Sequence, residues 1–196
     1  MTTRVRPPRL RALLPALALA AGAAGCGPSQ PQVELRTELG TIRIEVDSAR
    51  APATAANFLR YVREGRYEGA TFYRVRRDPV QLMQPPTGIV QGGLWYGDST
   101  RLLPPVRFES TQRTGLRHTD GTVSMARFEE LDGARAEFFV TLGEQPHLDF
   151  RGPGKEGYAA FGRVTAGMEV VRAIRDLPAT GERLRTPIRF TAEMVQ

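Results

Sequence analysis

Phe72-Tyr73-Arg74-Val75, with Gln91-Gly92-Gly93 following it, is the stretch on which the fold turns. The first segment sits inside a short run rich in aromatic and β-branched residues, Ala70 to Val75. The second closes another run, Ile89 to Gln91, on a glycine pair. Short runs of this composition, bounded by Gly, Pro or Asp, are the mark of strands. Working outward, similar runs lie at Thr122 to Ala126, Phe138 to Leu142 and Ala160 to Val164. On the N-terminal side Val33, Leu35 and Thr37 alternate with polar neighbours, and Ile42, Ile44 and Val46 do so again after Gly40, which predicts a β-hairpin. On the C-terminal side Ile188, Phe190, Ala192 and Met194 alternate as a last strand.

Two segments change period. From Pro52 to Glu64, Ala55, Phe58, Leu59 and Val62 fall at helical spacing, with Pro near the start and Gly65 at the end. From Gly167 to Asp176, Met168, Val171 and Ile174 share one helical face, and Pro178 follows. Many short strands and two helices predict a closed antiparallel barrel capped by those helices.

The N-terminus reads differently. Arg4, Arg6, Arg9 and Arg11 precede an uncharged, Leu- and Ala-rich stretch from Ala12 to Gly25, the layout of an export signal over residues 1–25. The stretch is broken by Pro15 and is shorter than the roughly 18 apolar residues a membrane span needs. It ends at Ala23-Ala24-Gly25-Cys26-Gly27, and Cys26 is the only cysteine in the chain. This resembles a bacterial lipoprotein signal, in which the cysteine is lipidated and becomes the new N-terminus. Ordinary cleavage at a nearby Ala-x-Ala site, leaving a free thiol, is the alternative. Residues 26–32, with Pro28 and Pro31, then read as a linker to a domain over 33–196. Six extended residues reach at most about 20 Å, so a lipid on Cys26 would hold the domain at the cell envelope, facing the periplasm or the cell exterior.

The formal charge of +6 suggests a nucleic-acid partner, but four of those charges lie in residues 1–25, where no acid stands, so the remainder carries only +2. That leaves no electrostatic footprint for nucleic acid. About 170 residues remain at 41% hydrophobic content over the whole chain, enough for one core, and the domain is expected to act as a monomer. His118 and His147 are the only histidines and lack a metal-ligand spacing, so no metal or cofactor is expected.

The order of the motifs points further. Phe72-Tyr73-Arg74-Val75 resembles the F-H-R-V motif of the cyclophilins, Gln91-Gly92-Gly93 their Q-G-G, Gly121 to Arg127 their G-x-x-x-M-A-[RN], and Glu137-Phe138-Phe139 their Q-F-F. Tyr158 to Gly162 and Gly167 to Val171 complete the series, and Pro52-Ala53-Thr54 with Asn57-Phe58 matches the family's first helix. The resemblance implies an eight-stranded barrel and peptidyl-prolyl cis/trans isomerase activity on Xaa-Pro segments of unfolded or flexible exported proteins. Such a reaction rotates an amide across a barrier of about 18–20 kcal/mol and needs neither nucleophile nor metal, only tighter binding of the twisted amide than of either planar isomer.

By resemblance, Arg74 is the catalytic donor to the proline nitrogen, which regains its lone pair in the twisted state. Ile89, Phe139 and Leu148 are the proline pocket, with Ala126 and Gln91 beside it. Phe72, Met125, Glu137, His147 and Tyr158 complete the expected substrate contacts. Four departures stand out. Residues 77–87 form an insertion, whose Leu82 or Met83 is a candidate to cover the site, and Gly88 replaces the usual pocket Phe. Glu137 replaces Gln and is a candidate partner for Arg74, while His147 replaces an aromatic. The insertion, Gly88 and Glu137 leave room for a proline-peptide-binding or chaperone module without catalysis. A third class, hydrolysis through Ser124, His118 and Asp120, lacks a G-x-S-x-G elbow.

Overall fold

The computed structural model describes residues 1–2, 30–78, 87–95 and 99–195. Residues 3–25 of the expected signal, Cys26 and the insertion residues 79–86, including Leu82 and Met83, lie outside them. In chain order the elements are β1 (Gln32–Thr37), β2 (Gly40–Val46), α1 (Pro52–Arg63), β3 (Thr71–Arg77), β4 (Gly88–Gly93), α2 (Thr111–Thr114), β5 (Thr122–Met125), β6 (Phe138–Leu142), β7 (Ala159–Ala166), α3 (Met168–Asp176), β8 (Ala179–Thr180) and β9 (Arg183–Met194). Eight strands follow one another in the order β1-β2-β7-β5-β6-β4-β3-β9, every pairing antiparallel, and β1 pairs with β9 to close the ring. The two-residue β8 is an appendage of β9. The eight-stranded closed barrel expected from the sequence is therefore the fold. Among the described residues no helix is long and apolar enough to cross a membrane.

Alternation makes the wall. Val33 and Leu35 on β1, and Ile42, Ile44 and Val46 on β2, are buried while their neighbours face out. Inside, Phe58, Tyr67, Phe72, Phe138, Phe161 and Phe190 form a ring cluster with centroids 4.9–6.0 Å apart. Tilted and edge-on contacts such as these are the favoured geometry for aromatic quadrupoles.

The helix α1 turns Thr54, Ala55, Phe58, Leu59, Tyr61 and Val62 inward. Ala51 at its N-cap supplies no capping side chain. Glu109, buried at 3% exposure, does so from a distant loop: one carboxylate oxygen accepts from Thr54 N at 2.8 Å and Thr54 Oγ1 at 2.7 Å, the other from Ala53 N at 3.3 Å. A carboxylate also suits the positive end of the helix dipole. At α3, Gly167 takes a left-handed φ of 88° and Val170, Val171 and Ile174 pack on the barrel beside β2, β3 and β4.

Candidate active site

A cleft of about 560 Å³ opens on the outer wall where β3, β4 and β6 run side by side. Register makes it. Arg74 on β3 pairs with Gln91 on β4, and Gln91 pairs with Phe139 on β6, so one row of side chains crosses three strands. A β-bulge falls between Phe72 and Arg74. Phe72 and Val75 can then both point into the core although they are three residues apart, while Tyr73, Arg74 and Arg76 turn to the cleft. Bulges re-aim side chains in this way because the extra residue breaks the two-residue alternation.

Ile89, Phe139 and Leu148, each at 5% exposure or less, form a small apolar cluster apart from the main core, with Ala126 and Tyr158 packed against it. Tyr158 meets Phe139 edge-on at 5.3 Å, and Arg127 lies over the Tyr158 ring at 5.3 Å. Beneath the floor, His118 stacks on Phe139 at 6.0 Å.

A polar chain runs along the other side. Arg74 donates from Nη1 to Gln91 Oε1 at 2.6 Å, Gln91 Nε2 donates to Tyr73 Oη at 2.8 Å, and Tyr73 O–H donates to Glu137 Oε2 at 2.6 Å. Leu94 N donates to the other Glu137 oxygen at 2.7 Å. Burial pushes the Glu137 carboxyl up to about 7, against the lowering effect of the Tyr73, Leu94 and Trp95 donors. Burial, with the Glu137 charge added, raises the Tyr73 phenol, so the phenol stays a donor at ordinary pH. The Gly pair after Gln91 is required by this packing: a Cβ at Gly92 would stand 2.8 Å from the Phe72 ring and 2.8 Å from Thr71 O, and one at Gly93 would stand 2.6 Å from the Glu137 carboxylate.

Of the residues expected at the site, Arg74, Ile89, Gln91, Ala126, Glu137, Phe139, Leu148 and Tyr158 line the cleft. Three do not. Phe72 and Met125 are core residues at 0% and 1% exposure, because the bulge and the barrel alternation turn them inward. His147 sits exposed on a 3-10 turn, its Nε2 3.0 Å from Arg76 Nη2. Glu137 does not reach Arg74 directly; the carboxylate that does is Glu182, which takes Nε–H at 2.8 Å and Nη2 at 2.6 Å. Tyr73, Leu94, Trp95 and Leu102 also line the cleft, none of them signalled by the motifs except Tyr73, which stands inside one.

The hydrolytic reading fails on access. His118 Nδ1 lies 2.7 Å from Asp149 Oδ1 and Nε2 lies 3.0 Å from Ser124 Oγ, a Ser-His-Asp chain in which Asp149 stands where the sequence suggested Asp120. Ser124 is fully buried and His118 nearly so, and Phe139 covers the imidazole. Burial lowers the His118 pKa. The ring is thus neutral, donating from Nδ1 and accepting the Ser124 proton at Nε2, and no substrate reaches the hydroxyl. Asp120 accepts from Gly143 N and pairs with Arg172. Among the described residues no three His, Cys, Asp or Glu side chains cluster to hold a metal.

A family model for cyclophilin type peptidyl-prolyl cis-trans isomerases matches residues 32–193. The peptidyl-prolyl cis-trans isomerase cyp18 of Streptomyces antibioticus is 38% identical over 155 residues, which is 77% of this chain and 87% of the relative. Peptidyl-prolyl cis-trans isomerase A of Dickeya dadantii is 39% identical over 144 residues, 72% of this chain and 70% of the relative. Among solved structures, a cyclophilin type isomerase of Cryptosporidium parvum superposes with a TM-score of 0.63 at 19% identity, covering 85% of this chain and 98% of its own. A second crystal structure of it, in the presence of the dipeptide Ala-Pro, superposes with a TM-score of 0.61 at 20% identity, covering 84% and 99%.

Proposed function

Because the chain belongs to the cyclophilin-type peptidyl-prolyl cis-trans isomerases and is an enzyme of that class, we propose that Arg74 is its catalytic donor and that Ile89, Phe139 and Leu148 seat the substrate proline. Its substrates, in this reading, are Xaa-Pro bonds in flexible segments of exported proteins.

The observation that carries the site assignment is the row Arg74–Gln91–Phe139, which sets a guanidinium and an apolar floor side by side in one cleft. A guanidinium has five N–H donors. Gln91 engages one on Nη1, and Glu182 engages Nε–H and one on Nη2, so one N–H on each terminal nitrogen is left for the substrate. As the amide twists, its nitrogen becomes an acceptor, and a donor fixed beside it lowers the barrier because it gains a partner only in that state. The binding of proline peptides by this chain is supported by the apolar floor of Ile89, Phe139 and Leu148 and by the Ala-Pro dipeptide present with the Cryptosporidium parvum protein.

Exchange spectroscopy on a short Xaa-Pro peptide tests the assignment. Arg74→Ala is expected to lower kcat/KM by about 100-fold or more, the scale for losing one preorganised donor, with the fold retained; a variant as fast as the parent removes Arg74 from the mechanism. Localisation follows from residues 1–26 by the lipoprotein resemblance. Mass spectrometry of the protein from its host is expected to find acyl chains on Cys26, and Cys26→Ser to release it from membranes. An unmodified cysteine in the mature protein would refute the anchor.

A further inference from the structure

We infer that Glu182, at the tip of the β8–β9 hairpin, is a positioning residue for Arg74, holding the guanidinium in the rotation that leaves its remaining donors to the substrate. This rests on the reading of Arg74 as the donor.

The local chain is built to bring that carboxylate to β3. Between the pairs Phe72–Ile188 and Arg74–Arg183, β9 advances five residues while β3 advances two. The surplus contains Pro187, which has no N–H for a ladder, and it leaves the wall to pair with β8: Ala179 with Leu184, Thr180 with Arg183. Gly181 and Glu182 are then the two-residue loop, Gly181 at φ 60° and Glu182 without a positive φ, the pattern of a Gly-first hairpin turn.

Two anchors fix the tip. Val75 N donates to Glu182 O at 2.7 Å, tying the loop backbone to the strand that carries Arg74. Arg77, three residues beyond Arg74, donates from Nε and Nη2 to Arg175 O and from Nη2 to Leu177 O, clamping the end of α3 that leads into β8. The Glu182 carboxylate therefore meets Arg74 from a braced backbone. It covers the Nε/Nη2 edge, while Gln91 holds Nη1 from the opposite side. A guanidinium gripped on two edges is biased toward one rotation about its last side-chain bond, although Arg74 is 40% and Glu182 46% exposed. A residue that orients the donor acts on the twisted state, whereas the apolar floor binds the proline in every state. Its removal should thus show in kcat and spare KM.

The test measures kcat and KM by exchange spectroscopy for the parent, Glu182→Ala, Glu182→Gln and Arg74→Ala. Glu182→Ala is expected to lower kcat about tenfold with KM within about twofold. Glu182→Gln, whose carbonyl still accepts an Arg74 N–H, is expected to recover most of the loss. A Glu182→Ala enzyme with parent or raised kcat overturns the inference, as does a Gln variant no better than Ala, or a loss confined to KM. If Arg74→Ala is inactive while Glu182→Ala matches the parent, only the role of Glu182 falls. An active Arg74→Ala removes both.

Discussion

Glu137 shows how one atom's replacement changes a site's titration without touching its central residue. Its carboxyl is pushed up to about 7 by burial, whereas an exposed glutamate titrates near 4.5. Below about pH 4.5 the folded and unfolded chains are both protonated at this position. Between there and about 7 the unfolded chain loses the proton first, so stability falls as pH rises, by roughly 3 kcal/mol at one pKa unit to 1.36 kcal/mol. Denaturant unfolding at pH 5 and pH 8 is expected to show this fall in the parent and its absence in Glu137→Gln. Equal slopes would mean that Glu137 ionises freely in the fold. The neighbouring Gly92 gives a second prediction. With 2.8 Å between an added Cβ and both the Phe72 ring and Thr71 O, Gly92→Ala should lower stability by about 1–3 kcal/mol, read as a lower urea midpoint. The Q-G-G motif was legible as letters; why both glycines are needed was not, because Phe72 approaches from β3 and Glu137 from the residue just before β6.

At the scale of elements, α1 marks the boundary of what local sequence determines. Its Pro start, its buried face and Gly65 at its end were all readable, since each acts within a few residues. Its cap was not, because Glu109 comes from 55 residues away. Glu109→Ala leaves Thr54 N and Thr54 Oγ1 buried without acceptors, which should cost about 1–3 kcal/mol; calorimetry showing an unchanged melting temperature would mean water replaces the carboxylate. The ends of β9 divide in the same way. Ile188 to Met194 alternates and was visible, whereas Arg183 to Pro187 carries charges and a proline with no alternation. The stretch that hides Glu182 from sequence reading is the one that delivers it to Arg74. Tyr73 was hidden differently: strict alternation sends neighbouring residues to opposite faces, and only the bulge lets Tyr73 and Arg74 both turn to the cleft.

For the whole molecule, the ring order relates the cleft to the chain's N-terminal side. The described domain starts at Gln30, and β1 follows at once. Counting the shorter way around the eight strands, β6 stands four from β1, β4 three and β3 two. The cleft wall is thus centred three strands away from β1, the strand at which the described domain begins. A lipid on Cys26, as proposed, would hold the β1 side toward the bilayer within the roughly 10 Å that the three residues 27–29 can span and leave the cleft turned to solvent. The anchored protein in vesicles and its Cys26→Ser form in solution are therefore expected to have the same kcat/KM, within about twofold, on a short Xaa-Pro peptide, because the peptide meets the same open cleft in both and the tether makes no contact that differs between ground and twisted states. A loss of an order of magnitude on anchoring would mean that the bilayer covers the cleft, and would require the domain to lie on its β3–β4–β6 wall instead.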